Sequence, residues 1–419
     1  MTTAAVSTTT RRSSRQRIRV LWGACGAHAL HDGLTDTLYL LLPLLQTEFA
    51  LGYAAVGVLR ALYAGSMAGL QVPAAKLAQR IGGVTLLAVG TAVAGAAYLC
   101  LGQTASLPLL AFALILGGIG SSTQHPIASG LVAAAYEGPR SRGALGTYNF
   151  AGDLGKMALP AITAGLITVM AWRSAASVIG IIGLIGAAAI ALALRRVPMT
   201  GAEVAPAPEA SSRAGGCAES PRGGFSLLLA IGIVDSATRM GFLTFLPFLL
   251  RAKGAGVPEI GAALTLVFAG GAAGKLVCGF LGARLGVLTT VFLTEGATAV
   301  GILALLPLPI GPALALLPLI GVALNGTSSV LYGTVPDLVT ARRRDHAFGV
   351  FYTGTIGSGA VAPVLYGFLS DAIGLRPAML LVAAVVLLTL PLAWRLQRVL
   401  RAVESGAGSP TPEAASGVE

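Results

Sequence analysis

Residues 20–47 read VLWGACGAHALHDGLTDTLYLLLPLLQT, a stretch long enough to cross a bilayer that nevertheless carries His28, Asp32 and Asp36 at successive four-residue steps, with His31 beside them. A hydrocarbon core of about 30 Å takes roughly 20 helical residues. An ionised carboxylate near its centre costs roughly 2.5–3.5 kcal/mol even on lenient insertion scales, so two in one helix require partners, water or a proton. At about 100° per residue the three positions drift only about 80°, which puts the imidazole and both carboxylates on one face with Thr35 and Tyr39. That face is expected to look into a central cavity, and its chemistry is that of transmembrane transport. His31 lies off the stripe and reads as a packing or helix-contact residue.

The rest of the chain agrees with a membrane setting. Of 419 residues 55% are hydrophobic and 11% charged, against about 25% charged in a typical soluble domain, and the mean hydropathy is +0.81. Apolar stretches separated by Pro, Gly or charged punctuation predict twelve spans, near 20–47, 53–78, 83–102, 106–135, 143–170, 174–194, 225–250, 257–282, 286–308, 311–338, 347–370 and 377–400. The fold class is therefore all-α and integral to the membrane. Most of the 56 glycines read as close-packing positions between spans, as in Gly65-x-x-x-Gly69 and Gly270-x-x-x-Gly274. Cys25, Cys100, Cys217 and Cys278 show no metal-ligand spacing and imply neither a disulfide nor a metal site.

A net charge of +11 raises nucleic acid as a partner, but the distribution of the charge excludes it. Five arginines between Arg11 and Arg19, twelve basic residues in alternate loops from Lys76 to Arg344, and Arg395, Arg398 and Arg401 all fall on one side. The opposite loops hold only Arg173, Arg251, Lys253 and Arg376. The positive-inside rule then places both termini and the central loop in the cytoplasm, in a membrane of the bacterial inner or plasma type. The Arg-rich N-terminus resembles the charged region of a secretory leader, yet the apolar stretch after it is too long and too polar inside for a cleaved signal.

Residues 196–224, with Pro198, Pro206, Pro208 and Pro221 among Gly, Ser and mixed charge, read as a solvated linker that splits the chain into six plus six spans. The segmentation is a cytoplasmic segment 1–19, a six-helix bundle 20–195, the linker 196–224, a second bundle 225–401 and a disordered tail 402–419. The bundles repeat at a spacing of 203 or 204 residues. Pro43 pairs with Pro247, Gly57 with Gly261, Arg80-Ile81-Gly82 with Arg284-Leu285-Gly286, Tyr148 with Phe351, and Pro160 with Pro363. Asp32-x-x-Thr35-Asp36 pairs with Asp235-x-x-Thr238-Arg239.

Four basic residues lie inside spans: Arg60, Lys156, Arg239 and Lys275. Asp32 and Asp36 either carry protons or pair with Arg60 or Lys156 across the bundle. Arg60 sits near enough to a helix end to snorkel. Asp153 and Lys156, three apart, share a face and can neutralise each other, as Asp235 and Arg239 do four apart; Lys275 is either a binding cation or a partner for Glu295. Arg and Lys around a cavity suit an anionic or zwitterionic ligand. His125-Pro126, after the small-residue run Gly117 to Ser122, is expected at a broken, cavity-facing turn with a binding or proton-relay role. With Asp32, Asp36 and His125 as proton-coupling residues, the substrate-binding candidates are His28, Arg60, Asp153, Lys156, Asp235, Arg239 and Lys275. No nucleophile with a supporting partner and no phosphate loop is present, so an enzyme is the least favoured class and no cofactor is implied.

Together these residues resemble the major facilitator superfamily, and specifically its fosmidomycin-resistance-type branch. The resemblance is carried by His28-x-x-x-Asp32, Pro43-Leu44-Leu45-Gln46-x-Glu48-Phe49-x-Leu51, Leu70-Gln71-x-Pro73, Gly118-x-Gly120-Ser121-Ser122-x-x-His125-Pro126 and Gly152-x-x-Gly155 with Pro160. It implies two pseudo-symmetric six-helix bundles, alternating access around a central cavity, and a monomer that exports a small toxic compound against protons, with phosphonate antibiotics as the namesake substrates. The chain departs from the pattern at Gln79, where the superfamily's loop motif has an acid, and at Ile127, where the branch commonly has Glu. Import of an organic anion with protons, or a non-transporting accessory or sensor role on the same fold, are the rival readings.

Overall fold

Long apolar runs leave no route for backbone polar groups other than intrahelical hydrogen bonds, and the chain folds accordingly. In the computed structural model the described residues are 14–136, 139–195, 223–340 and 343–407, and no strand occurs among them. The helices are α1 (Ser14–Glu48), α2 (Tyr53–Ile81), α3 (Gly83–Gly102), α4 (Leu107–Ser121), α5 (Gln124–Ala135), α6 (Pro139–Val169) and α7 (Trp172–Leu194) in the first half. The second half has α8 (Gly224–Ala252), α9 (Val257–Leu285), α10 (Val287–Leu305), α11 (Ile310–Thr334), α12 (Arg344–Ile373), α13 (Leu375–Val386) and α14 (Thr389–Ala407). Because α4–α5 and α13–α14 are each one broken span, fourteen helices make twelve passes.

Ten spans are long and apolar enough to cross a membrane by length and composition. The remaining two are α1 and α6, which carry His28, His31, Asp32 and Asp36, and Arg140, Asp153 and Lys156. Of these residues His28, Asp32, Asp153 and Lys156 meet in one cluster. Arg11, Arg12, the linker residues 196–222 with Cys217, Arg342 and the tail from 408 onward lie outside the described residues.

Tight αα connections follow the repeat. Gly82 between α2 and α3 has φ 92°, and its repeat partner Gly286 between α9 and α10 has φ 84°, a left-handed backbone that glycine alone adopts without strain. One glycine expectation needs correction. Gly270 and Gly274 do seat α9 on the Pro318 and Val322 backbone of α11, but Gly65 and Gly69 have no atoms within 4 Å of where a Cβ would stand. In a glycine-rich chain the small-x-x-x-small pattern arises on exposed faces too.

Two compact units result. The first comprises residues 1–210, 243–269 and 363–372, so it includes one end each of α8, α9 and α12 as well as α1–α7. Inside it α1 packs along α6, α3 packs along α7, and Val20, Ala24, Leu87, Ile127, Leu131 and Tyr148 form part of its core. At the arginine-poor end Arg251 donates to the Pro43 carbonyl at 2.7 Å and to Thr47 Oγ1 at 2.8 Å, and Asp371 accepts from the backbone N–H groups of Tyr53 and Ala54 at 2.7 and 2.8 Å, capping α2. The second unit comprises 211–242, 270–362 and 373–419, with a core that includes Leu228, Ile231, Val291, Leu331, Phe351 and Leu396.

Candidate functional site

The first unit's polar cluster is possible because α1 and α6 touch backbone to backbone. A Cβ on Gly155 would overlap the Ala29 carbonyl, and one on Gly152 would lie 2.6 Å from His28 Nε2. The glycine pair thus sets the depth at which α6 meets the polar stripe of α1. His28 lies over the Tyr148 ring, with centroids 4.2 Å apart, and its Nδ1 donates to the Tyr148 carbonyl at 2.9 Å. The other ring nitrogen, Nε2, faces Asp32 Oδ2 at 3.2 Å.

Asp32 gathers the remaining groups. Lys156 Nζ reaches the same Oδ2 at 3.3 Å, His125 Nε2 stands 3.7 Å from Oδ1, and Asp153 Oδ1 is 3.8 Å from Lys156 Nζ. His125 follows the break between α4 and α5, and its side chain is 44% exposed whereas that of Asp32 is only 10% exposed. The cluster therefore has a buried anion with one wet neighbour. His28, Asp32 and His125 offer donor atoms within 4.8 Å of one another, a closeness that their sequence spacing does not disclose. The Lys156 ammonium already supplies a cation to that carboxylate.

Asp36, one turn further along α1, is buried and makes no ion pair among the described residues; Lys156, Asp32, Arg60 and Asp153 all act on it electrostatically. Arg60 does not snorkel. It is 5% exposed, donates from Nη2 to the Tyr39 hydroxyl at 3.0 Å, and lies 4.8 Å above the Tyr39 ring. Its Nε and Nη1 are buried without a hydrogen-bond partner. The aromatic face supplies part of what solvent would have given the guanidinium. His31 is held apart from the cluster by a 2.8 Å hydrogen bond to Thr91.

In the second unit Asp235 and Glu295 are both buried, and their carboxyl groups lie close enough to act on each other. Arg239 acts on both of them. Lys275 of α9 is half-buried. The sequence-predicted residues thus fall into two sets. His28, Asp32, Asp36, Arg60, His125, Asp153 and Lys156 belong to the first unit, and Asp235, Arg239 and Lys275 to the second.

Comparison with known proteins identifies the scaffold. The family model of the Major Facilitator Superfamily matches residues 24–231 and 227–417, almost the whole described chain. The chain belongs to the major facilitator superfamily. Among solved structures, a bacterial homologue of the human lysosomal transporter Spinster is similar in its inward-facing, occupied form, with a TM-score of 0.74 and 16% identity over 96% of this chain and 100% of that one. Its inward-facing, unoccupied form gives 0.74 and 17% over the same shares. No curated protein matches. At such identities the structures speak for the fold.

As a major facilitator protein the chain is a multi-pass secondary transporter of a small molecule and not an enzyme. Within this facilitator fold, sequence reasoning missed the tyrosines. Tyr63 links Thr35 at 3.2 Å to Ser121 at 2.7 Å, Tyr148 accepts from Gln124 Nε2 at 2.7 Å, and Tyr98 donates to the Leu34 carbonyl. The available signal was weak: Tyr39 shares the α1 stripe, and Tyr148 is matched by Phe351 in the repeat.

Proposed function

We propose that this facilitator couples substrate movement to protons through Asp32, and that it works as an exporter of a small, anionic or zwitterionic toxic compound. The observation that carries the reading is the contact of one buried carboxylate with an imidazole at 3.2 Å and an ammonium at 3.3 Å on helices that glycine brings together. His28 Nδ1 faces a carbonyl, so it is a donor; Nε2 can then donate to Asp32 only when the imidazole carries both protons. His28 and Asp32 therefore hold one mobile proton jointly. His125, nearer to solvent, relays it, and Asp36, with no direct cation, tunes selectivity.

In the cycle a proton arriving from the outer side neutralises Asp32 and releases the substrate, and loss of that proton towards the cytoplasm restores the binding form, so proton and substrate each bias the two access states. Arg60, Lys156, Arg239 and Lys275 supply positive charge for an anion. Asp153 holds Lys156 in the meantime. Opening at the arginine-poor end requires Arg251 to leave Pro43 and Thr47, and Asp371 to leave the α2 N-terminus. The motifs around His28, Gly118 and Gly152 favour the fosmidomycin-resistance-type branch. The arginine-rich loops favour cytoplasmic termini in a bacterial inner membrane, and the bundles 20–195 and 225–401 are read as one monomeric transporter.

Proteoliposomes with an imposed pH gradient test the assignment, using fosmidomycin, a carboxylate and a lipophilic cation as probes. Wild type is expected to move a probe towards the side from which protons come. Asp32→Asn is expected to abolish gradient-driven flux while leaving probe binding in place. Full gradient-driven flux in Asp32→Asn would overturn the coupling role, and movement of probe with the protons would overturn export.

A further inference from the structure

The buried carboxyl pair in the second unit has no role in the account above. Asp235 is the twelfth of the 29 residues of α8 and Glu295 the ninth of the 19 of α10, so both sit mid-helix. They are 4% and 2% exposed. A carboxylate has only acceptor oxygens, so two buried carboxyl groups this close to each other are held together by a proton between them. Glu295 Oε1 is buried with no hydrogen-bond partner, while Thr327 of α11 acts on this glutamate and donates its hydroxyl proton to Thr294 Oγ1 at 2.7 Å. Both threonines are buried like the acids.

The surrounding charges do not replace that proton. Among the described residues Arg239, on the next turn of α8, is the cation set against two acids, and its Nε is buried without a hydrogen-bond partner. On α12, the groups that meet this part of α8 are the Phe351 ring beside Gly232, the Thr355 carbonyl, which accepts from Ser236 at 2.7 Å, and the Ser358 hydroxyl, which donates to the Ile233 carbonyl at 3.1 Å. The acidic and basic residues of α12, Arg344, Asp345, His346 and Asp371, stand at its ends. Residues 310–334 of α11 contain only Tyr332 as a titratable group, α13 has only Arg376, α14 has Arg395, Arg398, Arg401 and Glu404, and α9 has Glu259, Lys275, Cys278 and Arg284.

We propose that Asp235 and Glu295 share one proton and form a second proton-binding site, separate from Asp32 and built wholly within the second unit. Deprotonation leaves two anions beside one arginine, so the pair releases its proton only when α8 and α10 shift or when water enters. Its part in the transport cycle rests on the proton-coupled reading given above, but the proton itself does not.

Infrared difference spectra of the purified full-length protein between acid and alkaline buffer read this directly, through the C=O band of protonated carboxylic acids. The Asp32→Asn protein is expected to keep the band of the pair. Glu295→Gln and Asp235→Asn are each expected to lose one protonated carboxyl, and Thr327→Val to shift the band without removing it, since of the two acids Thr327 acts on the glutamate alone. Wild-type band intensity in either Glu295→Gln or Asp235→Asn, or a band unmoved in Thr327→Val, would overturn the proposal. If one isosteric variant fails to fold, the other and Thr327→Val still decide. Loss of coupling at Asp32 would show in flux and not in this band, so the two readings fail separately.

Discussion

Asp32 and Asp235 stand 203 residues apart at the same place in the two repeats, and the halves surround them in opposite ways. Asp32 lies beside an ammonium and an imidazole, with Lys156 and His28 on its Oδ2. Asp235 lies against another acid. The substitutions behind the difference are few. At the same offset Lys156 becomes Gly359, while Glu295 has Thr91 or Ala92 as its counterpart, depending on whether the spacing is taken as 204 or 203. Gly155, which brings α6 onto α1, becomes Ser358, whose hydroxyl bonds to the Ile233 carbonyl. Duplication kept the helical scaffold and the first carboxylate, and what diverged is how that carboxylate is kept inside a membrane: by a cation in one half and by a shared proton in the other.

The largest test of this comparison is at the helix contact. Gly155→Ala pushes a Cβ into the Ala29 carbonyl, and because backbone cannot give way as a side-chain tip can, the expected loss is about 3 kcal/mol or more. Ser358→Ala in the other half removes one hydroxyl donor, shared between the Ile233 and Thr355 carbonyls and worth about 1 kcal/mol. Thermal unfolding in detergent should therefore show a deep loss for Gly155→Ala and a shallow one for Ser358→Ala. Equal losses would mean that α8 and α12 depend on their contact as strongly as α1 and α6 do.

Next in size is the removal of the cations. Lys156→Met leaves the Asp32 carboxylate to the two imidazoles of His28 and His125, and breaking such a buried pair costs about 3–5 kcal/mol in the fully buried case. The Lys156 side chain is 28% exposed, so solvent screening brings the expectation to about 2 kcal/mol. The double variant Asp32→Asn/Lys156→Met should recover part of that loss, as coupled partners do. Arg239→Met should cost less than Lys156→Met, since a protonated acid pair carries one negative charge between two groups. A greater loss at Arg239 would mean that Asp235 and Glu295 are both ionised, and would erase the contrast between the halves.

The sequence carries the scaffold more fully than the site. Span number follows from apolar length, and the repeat shows in pairs such as Gly82 and Gly286, where a backbone angle leaves glycine as the unstrained choice. Positions on one helix face follow from 100° arithmetic, which is why His28, Asp32 and Asp36 stand out without coordinates. That arithmetic does not say which helix faces the stripe. It placed Lys156 beside Asp153 three residues away, and left the pairing of Asp32 with Lys156 or Arg60 across the bundle as an open alternative; the contact found is Lys156 to Asp32, at 3.3 Å. Glu295 meeting Asp235 is likewise a contact across 60 positions. The seat of Arg60 over Tyr39 escaped because an aromatic ring carries no ionisable signal and an arginine seven residues inside a helix reads as a snorkelling one.

The smallest effect lies at the rim, where the first half has a surface pair that the second lacks. Glu48, at the end of α1, accepts from Arg173 Nη2 at 2.8 Å, and that hydrogen bond holds its carboxyl below the usual glutamate range. At the 204 spacing shown by Pro43 and Pro247, the counterpart of Glu48 is Ala252. A carboxyl lowered in the folded state adds stability that is full above its unfolded pKa and disappears as pH falls through the folded value. The difference in melting temperature between wild type and Glu48→Gln should thus be small at neutral pH, shrink with added salt, and vanish in acid. Arg173 also donates to the Thr104 carbonyl, a contact without a titrating acceptor. Arg173→Ala should therefore keep a residual deficit in acid that Glu48→Gln does not. If both deficits vanish together at low pH, the carboxylate alone holds Arg173 in place and the Thr104 contact adds nothing.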